Sequence, residues 1–209
     1  MASSNIWLVT DGAYKGKTSK KAGSGIIIHN YDNKAQHEFM FHLGNYGINR
    51  INHVVKNADI PVGKYRIEFV EQDGYLMKYK IGDYVDLEIY TSQVKYPPTN
   101  NRAEYLAYIL GNIICSILYP GHPIVLISDS KLLINSIQVW MINWVKKGLI
   151  NTKENSDLLF EIHRLNDPVN CYHINSHLTI KEYQKLSELE KYFSKLNDQA
   201  DKLANEAIL

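Results

Sequence analysis

Cysteine is scarce in this chain. Its 209 residues include only Cys115 and Cys171, both in apolar surroundings and at no metal-ligand spacing, so neither a disulfide framework nor a thiolate metal centre is indicated. No apolar run approaches the roughly 20 residues of a membrane-spanning helix, and none resembles a signal peptide. The expectation is an intracellular protein, cytoplasmic or nuclear, with no membrane association. An excess of one charge is also missing. The 23 basic residues face 22 acidic ones, so no global field announces a nucleic-acid binder, and any such binding must use local patches. With 45% hydrophobic residues the chain can bury one good core, which predicts a single domain over 1–209.

What is present begins with residues 6–14, IWLVTDGAY, an apolar run that ends abruptly at Asp11 and Gly12. The run reads as a short buried strand, and the glycine lets the backbone turn away just past the carboxylate. A lysine-rich loop follows at 15–21, then apolar stretches at 22–29 and 35–43, which together predict a three-strand meander. Residues 44–90 are irregular, with β-like runs at 65–70, 75–81 and 84–90 and turn signals at Asp73-Gly74 and Gly82-Asp83, and are expected to form an inserted β element. Residues 99–119 give the clearest helical periodicity, with Ala103, Leu106, Leu110, Ile113 and Ile117 on one face. A strand at 124–127 then runs into Ser128-Asp129-Ser130 and a helix over 131–144, a crossover that suggests a parallel neighbour. Further helices are expected at 158–165, 179–196 and 198–208, with a last short strand at 171–174.

Each carboxylate in this pattern has an ordinary reading when taken alone. Asp11 can start a turn, Asp129 can cap a helix, Glu104 can complete a capping box with Asn101, and Asp201 can be a solvated helix residue. Trp140 and Trp144, four residues apart, are compatible with core packing, although Lys146 and Lys147 after them make an aromatic and basic ledge.

Taken in order, the motifs say more. TDGAYKG at 10–16, TNNRAEYLAY at 99–108, SDSKLLINSI at 128–137, NSH at 175–177 and NDQADKLANEA at 197–207 resemble the ribonuclease H family. The resemblance covers nearly the whole chain apart from insertions. It implies an α/β ribonuclease H-like fold: a five-stranded mixed sheet with the first strand central and helices on both faces. The excess residues fall in a β insertion at about 44–90 and an inserted helix at about 179–196, beside the active site. By the same resemblance Asp11, Glu104, Asp129 and Asp201 look like the four catalytic, metal-binding carboxylates, and His177 like the family's mobile histidine. Thr99, Asn100, Asn101 and Asn155 resemble residues that contact the nucleic-acid backbone. Trp140, Trp144, Lys146 and Lys147 resemble the handle that grips the DNA strand.

The implied activity is endonucleolytic hydrolysis of the RNA strand of an RNA:DNA hybrid, leaving 5′-phosphate and 3′-hydroxyl ends. Two Mg²⁺ ions roughly 3.5–4 Å apart, for which Mn²⁺ can substitute, would activate the water and stabilise the leaving oxygen. Hard oxygen ligands suit such ions, and clustered carboxylates repel one another without them. Selection for RNA would come from 2′-hydroxyl contacts. An alternative stays open: a catalytically inactive protein that keeps the fold for nucleic-acid binding or scaffolding. Against the nuclease domain of a reverse transcriptase, a free-standing protein is expected, since Met1 starts the chain and no polymerase sequence accompanies it; a monomer is expected.

Overall fold

The computed structural model describes residues 5–16, 20–165, 169–176 and 178–209. Three antiparallel strands open it: β1 (Ile6–Lys15), β2 (Lys21–Asn30) and β3 (Gln36–Leu43), with Asp11 opposite Gly25. Four further strands, β4 (Gly47–Val55), β6 (Glu68–Asp73), β7 (Leu76–Ile81) and β8 (Val85–Ser92), form a second sheet in the order β4-β8-β7-β6. The segment between β4 and β6 returns as β5 (Gly63–Arg66), which pairs parallel with β3. The main sheet therefore has six strands, β10-β9-β1-β2-β3-β5, where five were expected. The sixth is β5, from the 44–90 stretch, whose chain runs back along the open edge of β3.

After helix α1 (Asn100–Leu118), strand β9 (Ile124–Ser128) lies parallel to β1, as the crossover predicts, and β10 (Asn170–His173) lies parallel to β9. Helices cover both faces of the main sheet. On one face α1 packs Leu106 and Leu110 with Leu8, Ile26 and Phe39 in the larger core. On the other, the long C-terminal helix brings Phe193, Leu196, Ala200 and Leu203 against Trp7, Val9, Ile27 and Ile127. This close approach needs Gly25, since a Cβ there would meet the Ala200 carbonyl oxygen at 2.0 Å.

Three helical expectations are corrected. The expected 131–144 helix is broken into α2 (Lys131–Asn135), a π-helical segment at Ser136–Trp140 and α3 (Met141–Lys146). α4 (Ser156–Leu165) begins two residues before the predicted start. The stretch 179–196 is not one helix: α5 (Ile180–Gln184) is a short turn, and α6 (Glu188–Glu206) runs unbroken through the position of Asp201. Capping boxes at Thr179/Glu182 and Ser187/Glu190 set both starts. Among the described residues no helix is long and apolar enough to cross a membrane.

Candidate active site

β1 carries Asp11 toward the α6 face, and Gly12 faces α1. A Cβ at Gly12 would lie 2.7 Å from the Glu104 backbone nitrogen, so the glycine lets the start of α1 come down onto β1. The residue capping α1 is Thr99, whose side chain accepts the Arg102 N–H at 3.2 Å. Asn101 is therefore inside the helix and makes no capping box with Glu104. Glu104 instead accepts hydrogen bonds from Asn100 Nδ2 at 2.7 Å and from the Ser130 hydroxyl.

Asp129 follows the last residue of β9, and His173 Nε2 lies 3.2 Å from its carbonyl oxygen. Asp201 comes from α6, where Asn205 Nδ2 donates to its Oδ1 at 2.9 Å. Four separate elements thus bring Asp11, Glu104, Asp129 and Asp201 to the wall of one cleft of about 310 Å³, which Asn100 also lines.

The electrostatics of this cleft are unfavourable to its own charges. Asp11 is 8% exposed and its carboxyl is pushed up to about 8, first by burial and then by Asp129, with Asp201 and Glu104 adding to the rise against the Gly12 N–H, which donates to Oδ1. Glu104, 9% exposed, is raised to about 7 by burial and by Asp129, while the Ser130 hydrogen bond pulls the other way. Each of Asp11, Glu104 and Asp201 takes a donor from its own neighbourhood, and among the described residues no three Asp, Glu, His or Cys side chains close into a single ion-holding group. The donor set is nonetheless all oxygen. It carries like charges whose protonation a divalent cation would reverse, which fits a hard dication.

Other predicted residues lie elsewhere. Asn101 is exposed, whereas Asn155 is buried with φ 59° and accepts from Arg102 Nη1 at 3.3 Å. Trp140 and Trp144 are partly buried with ring centroids 5.5 Å apart, Lys146 and Lys147 are exposed, and none of the four lines the cleft. His177 and residues 17–19 of the lysine-rich loop lie outside the described residues. The cleft also contains Asn197 and Asp198, which sequence reasoning missed. Their signal was spacing, since both lie within one turn or so before Asp201 on the same helix. Asn197 Oδ1 is buried and has no hydrogen-bond partner among the described residues.

A mixed sheet with its first strand inside and helices on both faces, with carboxylates from separate segments lining one cleft, defines an α/β protein. A family model described as RNase H matches residues 72–209, and the chain belongs to the ribonuclease H family. The Ribonuclease H of Thermosynechococcus vestitus is 34% identical over 84 residues, which are 38% of this chain and 53% of that protein. The match thus spans about half the length of that curated relative. Among solved structures, the prototype foamy virus protease-reverse transcriptase is similar with TM-score 0.53 at 16% identity, over 99% of this chain and 21% of that one. The solution structure of the PFV RNase H domain gives TM-score 0.52 at 15% identity, over 99% of this chain and 94% of that one. LC11-RNase H1, solved in complex with an RNA/DNA hybrid, gives 0.50 at 16%, over 97% and 96%. At these identities the likeness concerns the fold.

Proposed function

We propose that the chain is an endonuclease that hydrolyses the RNA strand of RNA:DNA hybrids, with Mg²⁺ bound by Asp11, Glu104, Asp129 and Asp201. The observation that carries this reading is the convergence of those four side chains, from four different elements, on one cleft in a chain of the ribonuclease H family. A hybrid bound to LC11-RNase H1 supports the choice of substrate.

When bound, two Mg²⁺ ions would supply an activated water and charge stabilisation for an in-line displacement that leaves 5′-phosphate and 3′-hydroxyl ends. The chain's own part is to hold its carboxylates ready. Gly12 N–H orients Asp11, Ser130 and Asn100 orient Glu104, and Asn205 orients Asp201. The raised carboxyls of Asp11 and Glu104 must lose their protons before they can act as ligands, so activity rises with pH toward the alkaline side of neutrality. Thr99, Asn100, Asn101 and Asn155 contact the substrate backbone in this reading, and Trp140, Trp144, Lys146 and Lys147 contact the DNA strand. His177 assists water delivery or product release, and the protein acts as a monomer.

The test is cleavage of an end-labelled hybrid with Mg²⁺, with duplex DNA and duplex RNA as controls and Asp129→Asn beside wild type. Hybrid-selective cutting that disappears in Asp129→Asn is expected. Binding of hybrid with no cutting in Mg²⁺ or Mn²⁺ would replace this reading with a non-catalytic binding protein. A His177→Ala rate equal to wild type would remove that residue's role alone.

A further inference from the structure

The second sheet ends in β4, and the outer edge of β4 is not left to water. Ile48 N–H donates to Asp157 Oδ2 at 2.9 Å, and Ile51 N–H donates to Glu161 Oε2 at 3.0 Å, the two carboxylates standing one turn apart on α4. Arg164 Nη1 donates to the Asn49 carbonyl at 3.0 Å. Side chains of one helix therefore pair backbone groups that a further strand would otherwise take.

Asp157 is also the partner of a buried guanidinium. Arg102, 1% exposed, donates from Nη1 to Asp157 Oδ1 at 2.8 Å and from Nη2 to Oδ2 at 2.7 Å, a two-bond fork. Its Nη2 also donates to the Tyr46 carbonyl at 3.2 Å, and its guanidinium carbon lies 4.5 Å from the centroid of the Tyr96 ring. Tyr46 precedes β4 and Tyr96 follows β8, so both ends of this segment close around this one side chain.

The guanidinium reaches one of the residues assigned to the substrate backbone: its Nη1 donates to Asn155 Oδ1 at 3.3 Å. With that oxygen engaged, the Asn155 Nδ2 group remains as a donor. We infer that Arg102 and Asp157 form a positioning pair that the second sheet completes, and that the pair holds Asn155 with its Nδ2 toward a phosphate of the substrate strand. The pair is formally neutral, so it acts through orientation rather than through added charge. The inference rests on the hybrid-cleaving reading.

The experiment measures KM and kcat on hybrid, hybrid affinity in an Asp129→Asn background, and thermal midpoints. Asp157→Asn puts an amide where two donors now meet a carboxylate. It is expected to weaken hybrid binding and raise KM by about tenfold with kcat changed less than about threefold, as misplacement of binding groups does. Arg102→Lys should not restore binding, because an ammonium cannot make the two parallel bonds. Glu161→Gln loosens the same seam between β4 and α4 without touching Arg102, and should lower the midpoint while KM stays at the parent value. Should Asp157→Asn fail to fold, Tyr96→Leu removes only the ring beside the guanidinium and should weaken binding by about two- to threefold. A folded Asp157→Asn, or a Tyr96→Leu, with the parent KM and hybrid affinity overturns the inference. So does a Glu161→Gln that weakens binding equally. A parent protein that neither binds nor cuts hybrid overturns the functional reading first, before any variant is made.

Discussion

The molecule buries carboxylates in two regions and treats them in opposite ways. At the seam between α4 and the second sheet, Asp157 meets a guanidinium and a backbone N–H, and Glu161 meets a backbone N–H and Arg164. In the cleft, Asp11 and Glu104 are just as buried but face further carboxylates, and among the described residues their hydrogen-bond partners include no cation of the chain's own. Paired charge makes structure at the seam, whereas unpaired like charge in the cleft is a standing cost that a ligand of opposite sign relieves.

Removing one charge from each region should have opposite effects. Asp129→Asn should abolish hybrid cleavage, a loss of about a thousandfold or more and so about 4 kcal/mol of barrier, yet leave the folded state at least as stable, because it removes repulsion. A steady-state assay with a thermal melt reads both effects. Arg102→Met should do the reverse to stability. It strands Asp157 in the seam and should cost about 3–5 kcal/mol by urea unfolding.

Smaller effects sharpen the same contrast. Asp11 has a folded pKa of about 8 against an ordinary value of 3.8, so between those values the folded state holds a proton that the unfolded chain has released. Its contribution to stability is therefore present below about pH 4 and lost as pH rises through 8. In EDTA, Asp11→Asn should gain on the order of 1–3 kcal/mol over wild type at pH 8 and nothing at pH 4, by urea unfolding at the two pH values. Ser187→Ala, which removes the cap of α6 far from either charge cluster, should cost about 1 kcal/mol at both.

Much of this was legible in the sequence where local chemistry agreed with the fold. The apolar run before Asp129 ends in a carboxylate because β9 ends there, whereas the chain does not turn away after Asp11: β1 continues, paired with β2, to Lys15. The period of α1 was plain, although the helix is buried on all sides from Arg102 to Cys115. The Asp73-Gly74 turn was visible for a related reason: Gly74 has φ 56°, which glycine adopts readily.

What escaped depends on long-range or compensating contacts. β4 was missed because its Asn, Arg and His positions break the alternation, and its edge is paired by α4 side chains far away in sequence. The π-helical segment carrying Trp140 has no periodic signature over so few residues. The break before α6 was encoded in Ser187 and Glu190, a capping box that a continuous charged helical pattern concealed. The Arg102–Asp157 pair joins positions that no sequence spacing relates.

In the proposed function the cleft holds its carboxylates against their own repulsion for a divalent cation. The most direct measurement is an NMR titration of the Asp11 side-chain carboxyl carbon, with and without Mg²⁺. An apparent pKa near 8 is expected in EDTA, falling into the ordinary carboxylate range when Mg²⁺ is added. An Asp11 that titrates near 4 in EDTA and does not respond to Mg²⁺ would contradict it.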